Sequence, residues 1–237
     1  MKRDALLERY FTTLISGNRG DARQIVDELL QADCPAESIL TKLVWPTLDR
    51  VQTLYRNDQL SDLAHHYATR LMRHQVDQLQ LRLEQQARNG RKIMFVCGPE
   101  ESEELGAQIA CDLLEASGHD VFFVGGGVAN DELVSQLADI AADVLVVFGV
   151  IPSTVPFTRQ LIDRIHDLDL YPRLQVVVGG GVFNRADGLA EEIGADLWAS
   201  DPESLVEVIR ENPEQRMGND QRTVGRKRKT KADSKAA

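Results

Sequence analysis

The hydrophobic positions of this chain change period once, near residue 90. Upstream, apolar residues recur at intervals of three and four: Leu6, Leu7, Tyr10, Phe11, Leu14 and Ile15, then Ile25, Val26, Leu29 and Leu30, then Ile39, Leu40, Leu43 and Val44. That spacing predicts amphipathic helices. Asn18, Gly20 and Asp21 mark one break and Asp33-Cys34-Pro35 a second, while Ser61 is placed to cap a long helix from Asp62 toward Arg88. Residues 1–89 therefore read as a bundle of four or five antiparallel helices, closed by Asn89-Gly90-Arg91.

Downstream, short apolar runs alternate with amphipathic stretches. The runs are Ile93–Cys97, Val121–Val124, Val144–Phe148, Val176–Val178 and Leu197–Ala199. Between them lie helical patterns through Leu105, Ile109, Leu113 and Leu114, through Leu133, Leu137 and Ile140, around Leu161 and Ile165, and over Asp187–Ile193, with Pro202–Arg210 closing the series. Five strand–helix alternations over residues 90–211 predict an α/β unit: a five-stranded parallel, flavodoxin-like (Rossmann-like) doubly wound sheet, strand order 2-1-3-4-5.

Composition changes this picture little. No apolar run approaches a membrane span, and the N-terminus lacks a signal-peptide core. Cys34, Cys97 and Cys111 are scattered without metal spacing, which suits a reducing cytoplasm. The formal charge of −10 argues against general nucleic-acid binding by the folded body. Residues 211–237 hold eight Lys/Arg against four acids and, apart from Met217 and Val224, no large apolar side chain. Residues 212–237 are accordingly expected to form a disordered basic tail. It reads either as a solvated end or as a contact to nucleic acid or an acidic partner.

Chemistry concentrates where strands end. Val176-Val177-Val178 stops at Gly179-Gly180-Gly181, which delivers bare backbone to the sheet edge where such folds take ligands. The first loop, Gly98-Pro99-Glu100-Glu101-Ser102-Glu103-Glu104-Leu105-Gly106, lacks dinucleotide glycine spacing, and its four glutamates repel a pyrophosphate. That argues against NAD, FAD and ATP. Some of those acids simply suit a helix N-terminus, but Gly106 within a helix costs about 1 kcal/mol relative to alanine and points to close approach. Gly125-Gly126-Gly127 is a weak signal. In Gly149-Val150-Ile151-Pro152-Ser153-Thr154, the hydroxyls suit either a ligand's polar edge or the cap of the next helix. No acid–base pair, activated nucleophile or protein metal cluster stands out, so no catalysis is assigned.

A helical bundle followed by a flavodoxin-like domain resembles the cobalamin-binding module of methionine synthase, corrinoid methyl carriers and cobalamin-dependent photoreceptor regulators. The resemblance spans residues 4–210. It is best matched from Val176 to Ile209, through Gly179-Gly180, Asn184 and Gly194-Ala195-Asp196, and is supported by Leu105-Gly106, Gly118-His119-Asp120-Val121 and Ala142-Asp143-Val144. It implies that the double glycine lines a pocket for the cofactor's nucleotide tail. It also exposes departures. Counting back from Gly106, the family's cobalt-ligating histidine is replaced by Glu103 and its aspartate by Glu101, and the Ser-x-Leu element reads Gly149-Val150-Ile151. A carboxylate is a harder, charged donor than imidazole, so lower histidine ligation is not expected. Where the photoreceptor branch lays Trp and Glu-His over the corrin, this chain has Tyr55 and His65-His66. The resemblance implies Tyr55 as shielding surface and His66 as an upper cobalt ligand. Without it, paired histidines in a helix read as surface or packed residues.

These readings give a cofactor-contact set of Gly106, Gly149, Ile151, Ser153, Gly179, Gly180, Gly181, Tyr55 and His66. The cofactor is cobalamin in its adenosyl, methyl or hydroxo form. The function so implied is a sensory or regulatory cobalamin protein acting through an output protein partner, with a homo-oligomer compatible. The alternatives are a cofactor-free interaction module of the same fold and a corrinoid methyl-carrier subunit.

Overall fold

The computed structural model of the chain describes residues 3–99, 101–149, 151–168, 171 and 173–217. Four helical segments form the cap: α1 (Arg3–Ile15), α2 (Arg19–Gln31), a continuous run from α3 (Ala36–Ile39) to α4 (Trp45–Arg56), and α5 (Asp62–Gln80). The Asn18 side chain caps α2 by accepting from Asp21 N–H, and Ser61 caps α5 by accepting from Ala64 N–H. Between α3 and α4 the chain makes one wide π turn, Leu40–Val44, in which Trp45 N–H donates to Leu40 O. Pro46 follows at once. It has no N–H to donate, and one widened turn is how a helix absorbs that loss without breaking.

Helix α5 ends at Gln80 instead of running toward Arg88. Leu83 continues the apolar spacing of Leu79 and is buried, but Leu81 is 86% exposed and the chain turns there. Residues 84–91 run alongside the end of the next helix, where Gln86 N–H donates to Ala116 O at 2.8 Å and Asn89 N–H to Gly118 O at 2.8 Å. Backbone pairing to a neighbouring element replaces the helical bonds given up.

The second unit alternates as expected: β1 (Lys92–Cys97), α6 (Glu101–Ala116), β2 (Asp120–Gly125), α7 (Asn130–Ile140), β3 (Val144–Phe148), α8 (Val155–Leu168), β4 (Gln175–Gly179), α9 (Gly181–Arg185), α10 (Leu189–Glu192), β5 (Leu197–Ala199) and α11 (Pro202–Glu211). All pairings are parallel, in the order β2-β1-β3-β4-β5. The helix expected over residues 187–193 is present as the short α10 after a left-handed Gly188, and a further short helix, α9, precedes it, starting directly at Gly181.

Helix α6 joins the two units. Leu105, Ile109, Leu113 and Ala116 pack into the cap core, while Ala107, Ala110, Cys111 and Leu114 pack on the sheet. Cap and sheet thus share one helix. Across the junction Arg73 pairs with Glu104 at 3.2 Å, Gln108 donates to Asp77 at 2.7 Å, and Lys42 pairs with Glu203.

Residues 212–217, which composition assigns to the tail, are hydrogen-bonded at the amino-terminal edge of the sheet: Gln175 Nε2 donates to Asn212 O at 2.8 Å and Met217 N–H to Asp196 Oδ1 at 2.6 Å. The remainder of that tail, 218–237, lies outside the described residues, as do Glu100 and Val150 of the two loops.

Candidate functional site

The carboxyl ends of β1, β3 and β4 meet beneath α4. Gly149 N–H donates to Gly179 O at 2.8 Å and its own carbonyl accepts Val182 N–H at 3.4 Å, so the loops after β3 and β4 are in direct backbone contact. Gly180 has φ +98°, and a Cβ there would fall inside contact distance of Gly149 O. Gly180 is therefore demanded by the close approach of two strand ends, whatever ligand the edge takes.

Gly106 and Gly179 both present bare backbone toward Phe148, Gly106 also toward Trp45 and Leu48 of the cap. A Cβ on Gly106 would lie 3.2 Å from Phe148 Cε1, and one on Gly179 would lie 3.3 Å from Phe148 Cδ2. The Phe148 ring, 1% exposed, fills the space these two glycines open. Trp45 meets it edge-on, with centroids 6.0 Å apart and planes at 72°. Among the described residues, the first member of the double glycine faces Phe148 and the Ala199 carbonyl, and the second faces the Gly149 backbone.

Glu103, at the place of the expected lower ligand, is fully buried and accepts Ile151 N–H through Oε1 at 3.3 Å. Its carboxyl packs over Gly98, where a Cβ would collide with it. Glu103 thereby fastens the first loop to the third. Burial, with Glu104 and Glu103 adding to it, pushes the Cys97 thiol up to about 12, so it stays protonated at neutral pH. Among the described residues no group of three or more His, Cys, Asp or Glu side chains is placed to hold a metal ion.

Above Phe148 runs a narrow cleft of about 20 Å³. Trp45, Leu48, Asp49, Gln52 and Arg56 of α4 form its roof, and Gly106, Gly181 and Asn184 its floor. Gln52 is only 6% exposed, and its Nε2 has no hydrogen-bond partner among the described residues. A buried, unmatched amide costs about 1–3 kcal/mol, so this donor is left available at the cleft. Asn184 donates to Ser200 O at 2.6 Å and so fixes the floor to the end of β5.

The site residues expected from sequence divide accordingly. Gly106 and Gly181 line the cleft, while Gly149, Gly179 and Gly180 lie beneath it. Ile151 packs into the sheet core. Ser153 is exposed in a short 3-10 turn, Pro152–Thr154, where Thr154 Oγ1 donates to Ile151 O at 2.7 Å. Tyr55 stacks on His65, centroids 4.0 Å apart and planes at 16°, and donates to Asp62 Oδ1 at 3.0 Å. His66 is exposed on α5, and neither it nor Tyr55 is among the cleft-lining residues. Sequence reasoning missed Gln52 and Phe148. The signal for Gln52 was a polar residue on the apolar stripe through Leu48, Val51 and Tyr55. The signal for Phe148 was a bulky aromatic at a strand end that otherwise gives way to glycine.

Two of the motifs that carry the resemblance serve the opposite edge of the sheet. Asp196 Oδ2 accepts Val176 N–H at 2.7 Å, and Asp143 Oδ2 accepts Lys92 N–H at 2.8 Å. Each satisfies an amide at the start of a strand, Lys92 the first of β1 and Val176 the second of β4, a structural duty that needs no ligand.

Residues 91–209 match the family model described as "B12 binding domain", and residues 6–80 match a second model of the same description. The chain belongs to the B12-binding domain family. Dimethylamine corrinoid protein 2 of Methanosarcina acetivorans is 22% identical over 211 residues, covering 88% of this chain and 96% of that protein. A corrinoid protein of Desulfitobacterium hafniense is 27% identical over 119 residues, 49% of this chain, and a dimethylamine corrinoid protein 3 of Methanosarcina mazei is 24% identical over 108. The chain spans 54% and 64% of those last two relatives. The solved monomethylamine corrinoid protein of Methanosarcina barkeri has the same fold, with a TM-score of 0.76 at 22% identity over 88% of this chain and 98% of that one.

The cofactor of this B12-binding protein is cobalamin or a related corrinoid. Its residues match one part of that molecule and not another. A macrocycle ringed with amides suits a glycine floor and the unmatched Gln52 donor. The space bared by Gly106 and Gly179, by contrast, is filled by Phe148.

Proposed function

We propose that this chain is a corrinoid carrier that seats the corrin ring between α4 and the carboxyl edge of the sheet and offers it to a methyl-transferring partner protein. The observation that carries this reading is the Gln52 amide, buried and unmatched in a glycine-floored cleft between cap and sheet. The end-to-end likeness to a dimethylamine corrinoid protein supports the carrier role over others. When bound, a corrinoid supplies a cobalt centre able to accept and hand on a methyl group.

The chain's own part is to hold and shield. Trp45 and Leu48 would give an apolar roof that excludes water, Gly106 and Gly181 would floor the seat with main chain, and Gln52 would be its buried donor. A cleft of about 20 Å³ has room for roughly one water, so α4 must lift from the sheet edge for the ring to enter. Lifting α4 parts the Trp45–Phe148 contact, while the ion pairs Arg73–Glu104 and Lys42–Glu203 across the junction are partly exposed and give at little cost. A sensory role would draw on Tyr55 and His66 as upper-face groups. Tyr55 is engaged with His65, and no observation favours that role over carriage.

The test is methyl transfer. Protein loaded with cobalamin, reduced, and given a dimethylamine-class donor with its methyltransferase is expected to shift to the visible spectrum of a methylated corrinoid and to release the methyl group to an acceptor thiol. A loaded protein that changes state with light but neither gains nor loses methyl would overturn the carrier reading.

A further inference from the structure

Phe148 has a consequence for which corrinoids the protein accepts, given the proposed seat of the corrin ring. A cobalamin molecule has two separable parts: a flat corrin, and a nucleotide loop that carries a phosphodiester and an aromatic base. In this chain the corrin's place is a cleft lined by α4, but the interior beneath it is already occupied. One ring, Phe148, covers the bare backbone of both Gly106 and Gly179, with Cβ-position distances of 3.2 and 3.3 Å. It also packs against Phe95, centroids 6.2 Å apart, and against Trp45 from the cap. The loops that would part to admit a nucleotide are tied together by the hydrogen bond from Ile151 N–H to Glu103 Oε1. That carboxyl is itself fully buried at the same edge and packs over Gly98, so the first loop has no slack there for a nucleotide to enter.

We infer that this protein grips the corrin ring alone and leaves the nucleotide loop outside the protein core, so that a corrinoid lacking the nucleotide binds as well as cobalamin. Phe148 does inside the fold what an inserted aromatic base would do: it fills the apolar gap between α6 and the end of β4. The selectivity of the site then rests on the rim of the macrocycle, where Gln52 is the buried donor.

The experiment is a binding comparison on the full chain, using hydroxocobalamin and the nucleotide-free corrinoid diaquocobinamide. Dissociation constants within about threefold of each other are expected. Cobalamin binding about tenfold or more tightly than cobinamide would overturn the inference while leaving the corrinoid site intact. Binding of neither would overturn the corrinoid reading and this inference with it. In Phe148→Ala the gap reopens, and preference is expected to shift toward cobalamin by about tenfold. Phe148→Leu, which keeps more of the core filled, is expected to shift it less, and unchanged selectivity in both folded variants would remove Phe148 from the account.

Discussion

Trp45 of the cap meets Phe148 of the sheet edge to face, with ring centroids 6.0 Å apart and planes at 72°. This aromatic contact links the proline-driven π turn to the ligand edge. Leu40–Val44 widens ahead of Pro46, and the residue that closes the wide turn is Trp45. The proposed cofactor seat therefore adjoins an apolar contact, and the strength of that contact governs how readily the cap can lift.

Trp45→Ala tests this directly. A fully buried Trp lost to Ala costs about 3–5 kcal/mol, and the half-buried position of Trp45 reduces that to about 2 kcal/mol. The expected result is a melting temperature lower by several degrees together with faster corrinoid uptake in stopped-flow absorbance. Slower uptake would show that Trp45 guides the ring instead of blocking it.

Gly180 and Gly106 are expected to behave oppositely. Gly180→Ala puts a side chain at φ +98° and against the Gly149 carbonyl, with a cost of at least about 2 kcal/mol in denaturant titration whether or not corrinoid is present. Gly180→Leu, with a bulkier side chain at the same φ, is expected to cost more than Gly180→Ala. Gly106→Ala gains up to about 1 kcal/mol of helix propensity, offset by crowding against Phe148 Cε1 at 3.2 Å, and stability should change little. Its corrinoid affinity should nonetheless fall, because Gly106 floors the cleft.

Asp112 gives the fold a pH dependence. It is 5% exposed on α6, and burial, with Glu115 and Asp77 nearby, pushes its pKa from 3.8 up to about 7. Its Oδ2 has no hydrogen-bond partner among the described residues. Between pH 4 and 7 the native state keeps a proton that the unfolded chain has lost, so this contribution is full below about 4 and declines as pH rises through 7. Asp112→Asn is expected to flatten that decline and to raise the melting temperature at pH 8, with an effect on the order of a few kcal/mol. An unchanged pH profile would place the titration elsewhere.

Much of this architecture was legible because strands buried on both faces announce themselves. Val144–Phe148 and Leu197–Ala199 have the bounds their apolar runs imply, and the parallel order follows from the intervening helices. The end of α5 was not legible, since Leu83 keeps the helical spacing after the backbone has turned. The site was half legible. Glycine runs reveal where main chain is bare, but not what covers it, and the covering group here comes from a strand distant in sequence. Gln52 was hidden for a related reason: its place on the apolar stripe of α4 shows that it is buried, but not what opposes it.

Reconstitution with hydroxocobalamin followed by gel filtration bears most directly on the seat between cap and sheet. One cofactor per chain should co-elute with the protein as visible absorbance, and Gln52→Leu, which removes the buried donor while keeping an apolar roof, should weaken retention about tenfold without loss of fold. A colourless protein peak, or a Gln52→Leu variant that holds cobalamin as tightly as the parent, would contradict it.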